Sequence, residues 1–261
     1  MSGTAEEVAS ARIEAVRANG GRELDLRGLR LSAVPAEVRA LRRLTKLDLA
    51  GNHLVTVPDW LGELTSLRRL HLSYNQLNTL PDSIGDLTAL TWLSLRNNKL
   101  TAVPDSIGNL VWLRRLDLNI NQLTEIPAEL GGLVRLRRLN LDSNRITALP
   151  ESVGCLAALR WFRMRFNQLA SLPESIGVLT TLRGLDLRLN NLARIPESIG
   201  NLVHLTELNL SANRLSVIPA SIGNLTALTT LDLSSNALSA LPDCLRKLTG
   251  LAELNLSRNP I

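Results

Sequence analysis

The sequence predicts an α/β solenoid, in which short parallel strands line a concave face, short helical turns line the convex face, and a helix caps the N-terminal end. Three observations predict it. Asparagine recurs every 23 residues, at Asn52, Asn75, Asn98, Asn121, Asn144, Asn167, Asn190, Asn213, Asn236 and Asn259. A frame of leucines repeats at the same interval, and so does a proline, from Pro35 and Pro58 through Pro219 and Pro242. A fixed period in this range means one supersecondary unit stacked on copies of itself. Each unit then touches only its neighbours, and function falls to the surface.

One copy, Leu90 to Trp112, reads LxxLxLxxNxLxxLPxxIGxLxx. The alternation of Leu93 and Leu95 with polar Ser94 predicts a strand whose leucines face the core. Stacked copies pair as a parallel sheet. An amide side chain offers two donors and an acceptor, so the asparagine column is expected to form a structural ladder joining backbone groups of successive loops. The proline suits the first position of a short helical turn. The glycine four residues later, as at Gly62, Gly108 and Gly200, is expected to end that turn in a left-handed conformation.

The ends depart from the frame, as terminal repeats do. Residues 1–20 lack it and are expected to form a capping helix, opened by a capping box in Thr4-Ala5-Glu6-Glu7, carrying Val8, Ile13 and Val16, and ending near Gly20. Residues 21–261 then hold ten full repeats and a partial eleventh. The first repeat has Leu29 in place of the ladder asparagine and Arg39 in place of the convex glycine, and Arg246 replaces that glycine in the last full repeat. The core leucines of the last strand, Leu254 and Leu256, are expected to be partly exposed.

This frame, over about residues 21 to 261, resembles the leucine-rich repeat family, which implies a horseshoe with the sheet on its concave face. The LPxxIGxL segment is similar to that of the intracellular Ras-group repeat proteins and the repeat portions of Roc-COR proteins. That likeness implies a small GTPase, or its regulator, as a partner.

Composition agrees with a folded chain, since the 45% of hydrophobic residues are spread through the repeats without a run long enough to span a membrane. The opening MSGTAEEVAS places acidic residues where a secretory leader has basic ones, so the cytoplasm is the expected compartment. Cys155 and Cys244 stand singly, four repeats apart, too far to bridge at a strand spacing of ~4.8 Å. Cysteine-rich caps, usual in extracellular members of the family, are absent. Three glycosylation-type triplets, at Asn209, Asn224 and Asn255, follow from a frame rich in Asn, Leu and Ser. The net charge of +5 favours acidic partners.

Two columns flank the inward leucines of each strand. The residue between the leucines is mostly small and polar, including Asp25, Asp48, Asp117, Asp186 and Asp232. The residue before the first leucine turns basic and aromatic in the middle of the array, at Arg69, Trp92, Arg115, Arg138 and Trp161. Past the strand, Tyr74, Ile120, Phe166 and Leu189 replace the Gly, Ser or Ala of other repeats, beside Arg96, Arg165 and Arg188. Repeat seven departs furthest: Phe162 and Met164 are expected to fill the core, leaving Trp161, Arg163, Arg165 and Phe166 outward.

Trp, Tyr and Arg dominate binding hot spots because each joins a large contact to a polar handle. The candidate partner-binding residues are therefore Tyr74, Trp92, Arg96, Arg115, Arg138, Trp161, Arg163, Arg165, Phe166 and Arg188. The alternative is that arginines stack on aromatics within the sheet and nothing docks. No catalytic centre, metal site or cofactor is expected. His53, His71 and His204 show no ligand spacing, and the Asp48–His71 neighbour pair reads as a solvated surface pair. Two binding functions remain: a protein-recognition scaffold about 50 Å long, and a nucleic-acid binder stacking bases on Trp92, Trp161 or Phe166. The interrupting aspartates disfavour the second by repelling phosphate. A consensus array without a ligand is a third reading, and the irregular repeat seven argues against it.

Overall fold

The structure, a computed structural model, describes residues 4–240 and 242–261, so Met1–Gly3 of the expected cap lie outside the described residues. Helix α1, Ala5–Asn19, opens on the capping box: the Glu7 amide donates to Thr4 Oγ1 (3.2 Å) and the Thr4 amide to Glu7 Oε2 (2.8 Å). It ends at Gly20, which is left-handed with φ 60°. Ala9 and Ile13 are buried on its inner face, and Arg12 Nη1 donates to the Asp25 carbonyl oxygen at 2.9 Å. The helix thus meets an edge backbone group that no strand satisfies.

Eleven three-residue strands follow: Glu23–Asp25 (β1), Lys46–Asp48 (β2), Arg69–His71 (β3), Trp92–Ser94 (β4), Arg115–Asp117 (β5), Arg138–Asn140 (β6), Trp161–Arg163 (β7), Gly184–Asp186 (β8), Glu207–Asn209 (β9), Thr230–Asp232 (β10) and Glu253–Asn255 (β11). They form one parallel sheet in chain order, with equivalent positions opposite one another, as Arg115 is to Arg138 and Leu139 to Phe162. A 3₁₀ turn, such as Glu197–Asn201, backs each of the ten full repeats. The inward leucines form one continuous core, and Phe162 and Met164 take their places with no exposure. At the far end Leu254 is 44% exposed and Leu256 half-buried.

The backbone leaves the sheet after each strand, and the asparagines take up the groups so freed. Asn144 Oδ1 accepts from the Leu123 amide (3.0 Å), while its Nδ2 donates to the Leu118 (3.1 Å) and Leu141 (3.0 Å) carbonyls. The same three bonds recur at all ten positions, from Asn52 to Asn259. The residue before each asparagine is left-handed. Gly28 and Gly51 hold that position in the first two repeats, while later it falls on Tyr74 (φ 56°), Ile120 (57°), Phe166 (56°) and Leu189 (57°). A side chain costs roughly 1–2 kcal/mol in this region, most for a β-branched one such as Ile120.

Two sequence expectations are corrected. The convex glycines are not left-handed, since positive φ among the glycines of the described residues is confined to Gly20, Gly28 and Gly51. They are glycine because the next repeat leaves no room: a Cβ on Gly200 would lie 2.6 Å from both the Cβ and the carbonyl oxygen of Ser221. Nor does proline occupy the first helical position. Pro196, with φ −68° and ψ 152°, is the extended residue before the turn, and its carbonyl accepts the first 3₁₀ bond from Ile199 at 3.1 Å.

Replacing Asn144 by Ala strands three buried backbone groups and is expected to lower stability by ~1–3 kcal/mol; an unchanged urea midpoint contradicts the bridging role. Gly200→Ala is expected to lose a similar ~1–3 kcal/mol through overpacking. An alanine there that leaves the melting temperature unmoved shows that the turns can slide apart.

Candidate functional site

Because every strand is in register, residues one repeat apart stand side by side at about one strand spacing, ~4.8 Å. The sheet face therefore reads as columns. In the column opening each strand, Trp92 and Trp161 are half-buried and Arg115 and Arg138 between them are exposed. These four, with Arg163, Asp117 and Asn140, line a depression of about 390 Å³. Trp161 lies over β8, where Gly184 makes room: a Cβ there would lie 2.3 Å from Cε3 and 2.4 Å from Cζ3 of its ring. At the other end Arg115 stands over the Trp92 ring, 5.5 Å from its centroid, and His71 meets Trp92 edge-on at 4.5 Å. Burial holds the His71 pKa below the usual histidine value against the opposing pull of Asp48, with which it forms no hydrogen bond among the described residues. Asp117, in the depression wall, has its pKa raised by burial, against a hydrogen bond from the Asn119 amide.

The structure divides the ten candidate residues. Trp92, Arg115, Arg138, Trp161 and Arg163 share the depression. Tyr74, Arg96, Arg165, Phe166 and Arg188 lie beyond the strand ends, along a second row. There Tyr74 and Phe166 are half exposed (50% and 51%), held out by the left-handed backbone beneath them. Arg96 stacks on Tyr74, 5.5 Å from the ring centroid. Arg165 is committed within the fold: its Nε donates to Asp142 Oδ2 at 2.6 Å and its amide to Oδ1 at 2.9 Å. In this row, then, Arg96 stacks on an aromatic ring and Arg165 pairs with a carboxylate of the fold.

Sequence reasoning missed three features. Asp142, only 2% exposed, is the buried carboxylate that anchors Arg165, and burial raises its pKa although both Arg165 bonds oppose the shift. Trp112, 45% exposed, carries Arg135 over its ring at 3.6 Å. A further arginine column, with Arg114, Arg137 and Arg160, runs one residue before the strands. The doubled Arg114-Arg115 and Arg137-Arg138 were its visible signal. Among the described residues no three His, Cys, Asp or Glu side chains gather as a metal site, and no helix is long and apolar enough to cross a membrane. Cys155 and Cys244 are free, the first exposed and the second buried.

Arg165→Ala leaves Asp142 buried with its cation removed and is expected to cost ~1–3 kcal/mol, below the full value for a buried pair because Arg165 is partly exposed. Its carboxyl then titrates still higher. A carboxyl whose folded pKa is raised contributes stability that is complete below the unfolded value and is lost as pH rises through the folded one. The variant should therefore lose more stability at about pH 7 than at about pH 4; an equal loss at both rules out a charged Asp142 as the cause.

Comparison with known proteins agrees with this geometry. A family described as leucine-rich repeat region matches residues 103–190, 127–207 and 173–260, and one described as leucine rich repeat matches residues 22–77 and 42–100. No curated protein matches the chain. Among solved structures, a leucine-rich repeat protein of Leptospira interrogans is 32% identical, with a TM-score of 0.78 over 94% of this chain and 69% of that one. The functional domain of InlJ from Listeria monocytogenes, which includes a cysteine ladder, is 28% identical, with a TM-score of 0.77 over 89% of this chain and 48% of that one. The ectodomain of the Arabidopsis thaliana receptor kinase GASSHO1/SCHENGEN3, solved in complex with CASPARIAN STRIP INTEGRITY FACTOR 2, is 32% identical, with a TM-score of 0.63 over 90% of this chain and 35% of that one. This chain thus spans less than two thirds of the last two. With family matches over most of its length, and with a ladder side chain, a strand and a convex turn in each full repeat after the first, the chain belongs to the leucine-rich repeat family.

Proposed function

We propose that the chain is a non-catalytic protein-recognition scaffold that holds an acidic or amphipathic partner on its concave face. The observation that carries this reading is the depression between Trp92 and Trp161. Two large aromatic side chains bracket Arg115 and Arg138 there, and neither these arginines nor Arg163 forms an ion pair among the described residues. An unpaired guanidinium beside an aromatic face offers an acidic group a charge-assisted bond and a neighbouring side chain an apolar contact. The exposed Tyr74 and Phe166 extend the contact past the strand ends. Related chains support it: the GASSHO1/SCHENGEN3 ectodomain is seen in a complex with a factor. Likeness to the Ras-group proteins adds a small GTPase, or its regulator, as the partner, with the cytoplasm as the compartment.

Trp161→Ala/Arg163→Ala is expected to leave the melting temperature unchanged and to weaken partner capture from a native extract by about tenfold or more, as loss of a hot spot does. Capture identical to wild type moves the site elsewhere. Recovery abolished by nuclease favours nucleic acid in its place.

A further inference from the structure

The arginines at the start of β5, β6 and β7 do not behave like the basic residues of the first repeats. Arg114, Arg115, Arg137, Arg138 and Arg160 line, with Trp161, a groove of about 270 Å³ along this edge of the sheet. All five arginines are exposed. Their roots are held together by the sheet itself, since the Arg114 carbonyl accepts from the Arg137 (2.9 Å) and Arg138 (3.1 Å) amides, and the Arg137 carbonyl from Arg160 (3.0 Å) and Trp161 (3.1 Å). Like charges opposite one another destabilise a sheet. Near the N-terminal end of the sheet a carboxylate stands in the same column, Glu23 facing Lys46 at 3.4 Å across β1 and β2, and Asp25 holds Arg27 at 2.7 Å. Across β5–β7 no carboxylate pairs with any of the five among the described residues.

We propose that this groove is a recognition site for an acidic protein segment bearing closely spaced carboxylates. It rests on the scaffold reading and extends it from the Trp92–Trp161 depression to the neighbouring edge. The distribution of charge selects the ligand. Arg114, Arg137 and Arg160 span two strand spacings, about 10 Å, which suits two or three separate carboxylates better than one compact dianion. In an extended peptide, side chains on one face recur every ~6.6–6.8 Å, so alternate acidic residues can each meet a guanidinium fork bidentately. The strip is also short. Thr91 and Trp92 interrupt it on one side, and Thr206 and Glu207 beyond Arg183 on the other. That length supplies too few phosphate contacts for a nucleic-acid track.

The test is fluorescence anisotropy of a fluorescein-labelled octaglutamate peptide with the full chain, with Arg114→Gln/Arg137→Gln/Arg160→Gln, and with Arg145→Gln/Arg194→Gln/Arg214→Gln as a control of equal charge loss. The groove variant is expected to bind at least tenfold more weakly than wild type while the control binds within about twofold. Lysine at the three groove positions should restore only part of the affinity, because an ammonium cannot form the bidentate fork. Equal weakening of both glutamine variants, or tighter binding of an eight-nucleotide oligothymidylate than of octaglutamate, overturns the proposal. Octaglutamate with the Arg114, Arg137 and Arg160 variant reads the groove, whereas partner capture by Arg163→Ala alone reads the depression, since Trp161 lines both and Arg163 does not line the groove. Failure of the first with the second still sensitive removes this site alone, and the reverse removes only the concave-face reading.

Discussion

Everything in this molecule depends on the bridging asparagine amide. A strand of three residues offers its neighbour few ladder bonds, and the chain must then turn away with its backbone groups unpaired. A single side chain at one position answers this in each repeat after the first, accepting from the preceding repeat and donating both to that repeat and to its own strand end. The bonds run only between adjacent repeats. Stability is then close to a sum of nearest-neighbour terms, and an exposed side chain can vary wherever it touches neither the amide nor the core.

The same device sets the backbone just before the asparagine. To bring the amide inward, the preceding residue is left-handed, which glycine, asparagine or serine tolerates better than a large side chain. Tyr74, Ile120, Phe166 and Leu189 occupy that position with their side chains exposed. Large apolar groups held outward on unfavourable backbone are poor choices for stability alone, consistent with a surface that meets another molecule. On the opposite side, glycine facing serine sets how closely successive 3₁₀ turns approach.

Register converts this regularity into a surface. Residues 23 apart in the chain stand side by side, so a run of arginine at one frame position becomes a continuous cationic strip, and a tryptophan at the same position becomes its boundary. Gly184 shows how finely this is tuned, since a glycine in the strand opening β8 is what lets the Trp161 ring lie over the sheet. Not every arginine contributes equally. Arg165 is drawn into the fold by Asp142, whereas Arg115, Arg138 and Arg163 face outward without ion-pair partners among the described residues.

The sequence by itself determined the repeat, the parallel sheet, the core leucines with Phe162 and Met164 among them, and the capping helix. All of these follow from periodicity and local chemistry, which a linear chain displays in full. Only the tertiary structure decided why the convex glycines are glycine, because their constraint is the facing residue of the next repeat, most often a serine, rather than a dihedral angle. It also separated the ten candidate residues into a depression and an outer row, and revealed Asp142 beneath Arg165. Those outcomes turn on distances between side chains of neighbouring repeats and on which charges burial leaves paired, and neither is written in the order of residues along the chain.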